Sequence, residues 1–370
     1  MTAGLPPPAI VQPSPYEVSY GLVTGSVVRG AQRVVIRAGG RVLADRRLRG
    51  RHFTVRVDLP LRETTVSVTA VDAGGRRATS RVSHVLGLPR AATPSMHSTH
   101  VDLPLEARIR RLAAGFRGSA AIYVADLTTG AGAAWNARAR LPAASTLKLG
   151  IAVAALNRAG GVPAPGSYLD SALRRMLVVS DNEVANQLEV WLGGSTSSGG
   201  HAVTALMASI GLDDTEMWGG YEREPASRSI PLEVVDQPRW GIGKRTSARD
   251  LAGLLRAVWL ASGGKGPLHT RVTGFTPDDA RYLLYVLAHV RDPGKLDREL
   301  GESPGIRVLH KAGWINAARH DNGLVFWRGG VFVVTVMTYR AGGADPSSDV
   351  LAGRVARVAL RGFASRQLRE

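Results

Sequence analysis

Short runs of alternating hydrophobic and polar residues fill the first quarter of the chain. They are rich in β-branched residues, they reach strand length, and turn signals such as those at 38–40 and 72–75 separate them. The clearest runs are 34–37, 53–57 and 66–70. Short strands at this spacing predict a small all-β sandwich over residues 16–88.

The pattern changes near residue 100, where helical periodicity replaces alternation. Residues 89–100 are rich in Pro, Ser and Thr without periodicity, which predicts a linker to a second domain at 101–370. In that domain we expect strands at 120–127, 306–314, 323–328 and 331–339, and helices at 103–116, 145–159, 170–192, 201–210, 249–261, 278–290 and 348–366. Strands at both ends with helices between them predict an α+β fold, in which helices cover one antiparallel sheet.

The composition of the chain excludes several kinds of chemistry. The chain has no cysteine, which excludes thiol catalysis, disulfides and cysteine-based zinc sites. Its nine histidines are dispersed and form no H-x-x-x-H pair with a glutamate, so we expect neither a metal nor another cofactor. The sequence contains no apolar run long enough for a transmembrane segment, and residues 1–15 lack the features of a secretion signal.

The formal net charge is +17. Arginine is scattered through every segment, and no dense basic run with interleaved aromatic residues occurs. We therefore interpret the charge as a solvated basic surface and expect no nucleic-acid partner. Attraction to an anionic cell wall is the second interpretation.

Three short motifs follow one another in the second domain. Ser145 and Lys148 form S-x-x-K at the start of a predicted helix, which places both on one face. A serine hydroxyl needs a base, and a lysine whose pKa is lowered can supply one. The tripeptide 180–182, Ser-Asp-Asn, separates two helical stretches. Residues 311–314, Lys-Ala-Gly-Trp, lie on a predicted strand, where glycine permits the close approach of another backbone.

The three motifs together resemble those of the serine β-lactamase and penicillin-binding protein superfamily, and most of all those of class A β-lactamase-like hydrolases. The similarity extends over about residues 104–366, whereas residues 50–76 are similar to bacterial immunoglobulin-like modules. The resemblance implies an antiparallel sheet covered by helices, with a helical subdomain. It also implies a β-lactam or peptidoglycan-type peptide as substrate, and a location outside the cell or in its envelope.

The resemblance also implies roles for individual residues. Ser145 would be the nucleophile, Lys148 its base, and Ser180 the donor of a proton to the leaving nitrogen. The substrate-binding residues would be Asn182, Lys311, Gly313 and Trp314, with the backbone N–H groups of Ser145 and Trp314 forming the oxyanion hole. Glu222 would be the deacylation base, with Glu224 and Glu216 as further candidates.

The chain departs from the family pattern in three places. Ala312 stands where a threonine hydroxyl would bind a substrate carboxylate, and Asn316, Arg319 and Thr246 are candidates to replace it. The segment between Ser145 and Ser180 is short, and no Leu-Asn follows the candidate glutamates.

Two enzymatic hypotheses follow. The first is hydrolysis of the β-lactam amide bond through an acyl-enzyme. The alternative is a D-alanyl-D-alanine peptidase-type or esterase-type acyl transferase that binds penicillin without fast deacylation. A non-catalytic binding protein is a third hypothesis, which the intact motif residues oppose.

Overall fold

The computed structural model describes residues 5–221, 244–300 and 305–367. The chain divides into two compact units. One extends to Thr93 and includes Phe326–Gly330, and the other contains Pro94–Val325 and the residues from Val331 onward.

Strands build the first unit. They are β1 (Ala9–Gln12), β2 (Glu17–Ser19), β3 (Leu22–Ser26), β4 (Ala31–Ala38), β5 (Arg41–Arg47), β6 (His52–Arg56), β7 (Glu63–Asp72) and β8 (Arg77–Gly87). They form two sheets, with the orders β1-β3-β6 and β2-β8-β7-β4-β5. Apolar residues from both sheets, such as Val23, Phe53, Ile36 and Val68, share one buried core. Strands β5 and β6 each end a sheet, so each leaves one edge open.

The remaining strands lie in the second unit, apart from the end of β15 and the first residue of β16. They are β9 (His100–Val101), β10 (Ser119–Asp126), β11 (Ala131–Trp135), β12 (Leu141–Pro142), β13 (Arg245–Thr246), β14 (Ile306–Ile315), β15 (Ala318–Trp327) and β16 (Gly330–Tyr339). One sheet has the order β14-β15-β16-β10-β11-β9, and β12 pairs with β13 in a separate ribbon. The terminal strand β16 lies antiparallel to β10, with Val334 opposite Val124. The sheet therefore joins strands from both ends of the unit, as the sequence predicts.

Helices lie between these strands and after them. They are α1 (Leu103–Ala114), α2 (Lys148–Ala159), α3 (Tyr168–Val178), α4 (Asn182–Gly193), α5 (Thr196–Ser209), α6 (Ala248–Ala261), α7 (Gly266–Arg271), α8 (Pro277–Leu287) and α9 (Ser347–Gln367). Side-chain caps start several of them, including Asp181 for α4 and Ser247 for α6. Helix α2 is buried over its first nine residues, which makes it the central helix of the unit. No helix in the described part of the chain is both long and apolar enough to cross a membrane.

The predicted α+β architecture is confirmed, with shifted boundaries. The helix predicted from Ser145 begins at Lys148, because Ala144–Leu147 forms a 3-10 turn. The helical stretch predicted at 170–192 is broken between α3 and α4, where Ser180 adopts a left-handed backbone with φ of 60°. Strand β15 begins five residues before the predicted position, because its hairpin with β14 turns at residues 316–317.

Candidate active site

Ser145 lies in the 3-10 turn that leads into α2, and its side chain is half-buried. The residue before it, Ala144, has φ of 47°, a conformation that non-glycine residues adopt at a cost. The hydroxyl of Thr146 donates to the backbone oxygen of Ala143 at 2.6 Å, which closes the turn. The turn therefore projects Ser145 from a fixed and strained backbone.

A buried histidine connects this turn to the main sheet. His320 of β15 accepts a hydrogen bond from the Thr338 backbone N–H at its Nδ1 (3.1 Å), and its Nε2 lies 2.6 Å from the backbone oxygen of Pro142. Since Pro142 can only accept, Nε2 carries the proton and the ring is neutral. Burial lowers the pKa of His320 to about 4, which keeps the ring neutral at physiological pH.

Lys148 is fully buried at the start of α2 and points toward the Ser-Asp-Asn tripeptide. Its Nζ donates to the backbone oxygen of Ser180 (2.5 Å) and to Asn182 Oδ1 (2.5 Å), and lies 3.3 Å from Ser180 Oγ. Asp181, between them, caps α4 through the Val184 N–H and forms an ion pair with Arg175. The first two motifs thus form one hydrogen-bonded group.

Lys311 of β14 joins the same group from the opposite side. Its Nζ donates to Ser180 Oγ at 3.0 Å and to the Ala312 backbone oxygen at 2.8 Å. Burial lowers the pKa of Lys311 to about 8. The Ser180 hydroxyl therefore lies between the Nζ atoms of Lys148 and Lys311, where it can pass a proton.

Gly313 brings β14 against the 3-10 turn Ala144–Leu147, which we call the nucleophile turn after the predicted role of Ser145. A Cβ atom at this position would lie 2.7 Å from the Ser145 backbone nitrogen and 2.8 Å from that of Thr146, so only glycine fits without a shift. Ala312 is buried, whereas Trp314, the next residue after Gly313, is 63% exposed. The indole is therefore largely open to solvent.

Tyr221 is a site residue that sequence reasoning missed. Asn186 of α4 holds its backbone from both sides, accepting from the Tyr221 N–H at 2.6 Å and donating to the Tyr221 oxygen at 3.0 Å. The ring centre lies 4.7 Å from Lys148 Nζ and 4.3 Å from Lys244 Nζ. The phenol donates to the backbone oxygen of Ala144 at 3.3 Å. A buried polar residue one turn after Asn182 is the only sequence signal of this contact.

Burial raises the pKa of the Tyr221 phenol well above its usual value, and the buried carboxylate of Glu189 adds to the shift. Tyr221 therefore stays neutral and cannot serve as a base at physiological pH. Its ring fills the space beside Lys148.

The candidate deacylation bases give a mixed result. Glu222 and Glu224 lie outside the described residues, so their prediction stays open. Glu216 forms an ion pair with Arg245 (2.5 Å) and a backbone bridge with the same residue. Its carboxylate is thus engaged with a cation of β13.

Two of the candidates to replace a threonine at 312 have other partners. Arg319 forms an ion pair with Asp349 (2.6 Å). Thr246 is fully buried, with its hydroxyl 2.8 Å from that of Thr215. Each of these two side chains therefore has a partner within the protein, and binding of a substrate carboxylate by either one stays a prediction. Asn316 is exposed in the turn between β14 and β15.

The Thr246 network supplies a stability test. The Thr215 hydroxyl donates to buried Asp250 at 2.8 Å, and burial raises the pKa of Asp250 to about 6. A carboxyl whose folded pKa is raised destabilises the protein as pH rises from its unfolded pKa through 6. We expect Asp250→Asn, which keeps an acceptor for Thr215, to raise the free energy of unfolding at pH 7 by up to about 3 kcal/mol. Near pH 4 the difference should vanish.

Denaturant unfolding at pH 4 and pH 7 measures this effect. Asp170→Asn is the matched control, because Asp170 is also buried but pairs with Arg174 at 2.7 Å and has a lowered pKa. That variant should be less stable than the wild type at pH 7. Loss of stability at pH 7 in Asp250→Asn would contradict the prediction.

Comparison with known proteins adds to this geometry. Residues 104–161 and 164–363 match the family model described as "Beta-lactamase enzyme family". The chain belongs to this β-lactamase enzyme family. The matched ranges contain the Lys148–Ser180–Lys311 group, Gly313 and Tyr221.

Solved structures share the fold of this family member at low identity. PBP-A is 21% identical with a TM-score of 0.56, over 73% of this chain and 100% of that chain. A β-lactamase from Sphaerobacter thermophilus is 20% identical with a TM-score of 0.53, and the match covers 71% of this chain and 98% of that chain. A class A β-lactamase from Bacteroides cellulosilyticus is 15% identical with a TM-score of 0.55, and the match covers 71% of this chain and 98% of that chain. Among the curated proteins compared with the chain, none matches.

Proposed function

We propose that this family member is a serine hydrolase that forms an acyl-enzyme on Ser145 and acts on the amide bond of β-lactams. The observation that carries the proposal is the Ser180 hydroxyl, which lies 3.3 Å from Lys148 Nζ and 3.0 Å from Lys311 Nζ. The nucleophile lies one helical turn before Lys148. This arrangement joins a base and a proton donor in one hydrogen-bonded group, next to the turn that carries the nucleophile.

Acylation then follows from these positions. Ser145 Oγ attacks the carbonyl carbon, and its proton passes to the neutral amine of Lys148. The backbone N–H groups of Ser145 and Trp314 stabilise the oxyanion. When the C–N bond breaks, Ser180 gives its proton to the leaving nitrogen and regains one from Lys148. Asn182 positions Lys148 and binds the amide side chain of the substrate.

The fate of the acyl-enzyme separates the two enzymatic hypotheses. Hydrolysis needs a base that activates water beside the ester, and Tyr221 fills the space next to Lys148 with a neutral phenol. This observation favours the second candidate, a D-alanyl-D-alanine peptidase-type or esterase-type acyl transferase that releases penicillin slowly. Fast β-lactam hydrolysis requires a carboxylate such as Glu222, which stays a prediction. For either substrate class we propose a location outside the cell or in its envelope.

Intact mass after incubation with benzylpenicillin tests the proposal. Wild type should gain the mass of one penicillin, and Ser145→Ala should not. An adduct that disappears while penicilloate accumulates identifies a β-lactamase. An adduct that persists, with D-alanine released from a D-alanyl-D-alanine peptide, identifies the second candidate. Absence of any adduct on the wild type, with no turnover, contradicts the proposal.

Lys311 gives the acylation rate a predicted pH dependence. With a pKa of about 8, its ammonium is present below that pH and lost above it. The deprotonated amine no longer supplies positive charge beside Ser180, so the second-order rate constant for acylation should fall above pH 8. Lys311→Arg should acylate more slowly but lose this alkaline limb, since a guanidinium stays charged.

Stopped-flow acylation rates between pH 6 and 10 measure this profile. Lys265→Arg is the control, because Lys265 is exposed and donates to Pro94 rather than to a site residue. It should keep the wild-type profile. If the acylation rate of Lys311→Arg still falls above pH 8, a group other than Lys311 causes the fall, and the prediction is wrong.

A further inference from the structure

A groove on the first unit is lined mainly by cations. It has a volume of about 420 Å³ and lies along β6 and the end of β5, each of which is an edge strand of its sheet. We call it the basic groove; its lining consists of Arg46, Arg47, Leu48, Arg49, His52, Phe53, Thr54, Val55 and Arg56. It lies in a part of the chain that the catalytic proposal does not use.

The charge of the basic groove is not neutralised. Its four arginines are exposed, and within the described residues none of them forms an ion pair. The lining contains no aspartate or glutamate. Asp45, beside the groove in sequence, is paired with Arg33 at 3.3 Å. Four guanidinium groups held together without counter-charge repel one another, so a bound anion would stabilise this surface.

Guanidinium groups bind phosphate groups in two-point contacts, which a row of arginines can repeat along a chain. Between the arginines, Leu48 is half-buried and offers carbon surface. Phe53 is only 5% exposed and points into the core, so the lining presents no aromatic platform for nucleic-acid bases. The lining thus suits a flexible chain whose phosphates are separated by carbon spacers.

We propose that the basic groove binds a linear polymer of phosphodiester-linked polyols. The polymer's phosphates contact Arg46, Arg47, Arg49 and Arg56, and its polyol carbons contact Leu48. Binding releases counterions from the polymer, so affinity falls with salt concentration. The groove would hold the chain on a surface rich in this polymer, independently of acylation at Ser145.

Binding of the full chain to poly(glycerol phosphate), measured by fluorescence anisotropy at several salt concentrations, tests the proposal. The groove variant replaces Arg46, Arg49 and Arg56 by glutamine. It should bind at least about tenfold more weakly and show a shallower salt dependence. A matched variant replaces Arg77, Arg81 and Arg108 by glutamine. These three arginines are exposed and lie outside the groove, so the two variants lose the same net charge. It should bind nearly as the wild type does.

Two further arms complete the test. Replacing Arg46, Arg49 and Arg56 by lysine keeps the charge but loses the two-point contacts, so this variant should bind more weakly than the wild type and more tightly than the glutamine variant. Single-stranded DNA and inorganic polyphosphate should bind more weakly than poly(glycerol phosphate). Equal losses in the groove and matched variants, stronger binding of either comparison polymer, or no binding by the wild type would overturn the proposal.

Discussion

Replacement of Lys148 by methionine is expected to slow acylation of Ser145 by benzylpenicillin about 10³-fold or more. Methionine fills a similar volume in the buried position but cannot accept the serine proton. It also leaves Asn182 Oδ1 and the Ser180 oxygen without the donor they share in the wild type. The measurement is the rate of adduct formation by intact mass at saturating penicillin.

Lys148→Arg is the control for the chemistry. Arginine keeps the positive charge and can donate hydrogen bonds, but it does not lose its proton in proteins. We expect it to be as slow as Lys148→Met, because the base is missing in both. Thermal unfolding of both variants shows whether the fold is intact. A folded Lys148→Arg with nearly wild-type acylation would assign Lys148 a purely electrostatic role.

Replacement of Gly313 by alanine is expected to lower the acylation rate about 10²-fold. The new Cβ would stand 2.7 Å from the Ser145 nitrogen and 2.8 Å from the Thr146 nitrogen, and both neighbours are backbone atoms that cannot rotate away. Strand β14 and the nucleophile turn must therefore separate. The Ser145 N–H then leaves the position that the proposed mechanism requires for stabilising an oxyanion.

Gly323→Ala, on neighbouring β15, is the matched variant. Its Cβ would lie 3.0 Å from His310 Cβ and Leu296 Cδ1 and 3.2 Å from the Leu309 backbone oxygen, which are looser contacts than those at Gly313 and involve no atom of the Ser145 turn. We expect its acylation rate to stay close to that of the wild type. If Gly313→Ala acylates as fast as Gly323→Ala, the approach of β14 to Ser145 is not needed for catalysis.

Much of the candidate site could be predicted because its residues lie in short local motifs. Ser145 and Lys148 are one helical turn apart, and Ser180 and Asn182 flank a helix start, so each pair needs only local backbone geometry. The α+β architecture was predictable for a similar reason, since strand-length apolar runs at both ends of the domain must pair. The exact ends of the helices could not be predicted, because a 3-10 turn and an α-helix have similar spacings of apolar residues.

The contacts that the sequence could not predict are those between distant residues. Tyr221 meets Asn186 and Ala144 only after α4 and the nucleophile turn have packed together, and His320 reaches Pro142 from another strand. The partners of Arg319 and Thr246, which are Asp349 and Thr215, are likewise fixed by tertiary packing and could not be read from the sequence. Edge strand β5 was also missed, because exposed arginines interrupt its pattern of alternation.

The left-handed backbone of Ser180 has a consequence for evolution of this chain. A serine at φ of 60° costs about 1 kcal/mol or more, a penalty that glycine would avoid. A change to glycine would relieve this strain but would remove the hydroxyl between Lys148 and Lys311. Selection for acyl transfer must therefore act against such a change. A lineage released from that selection would be expected to lose its serine here early.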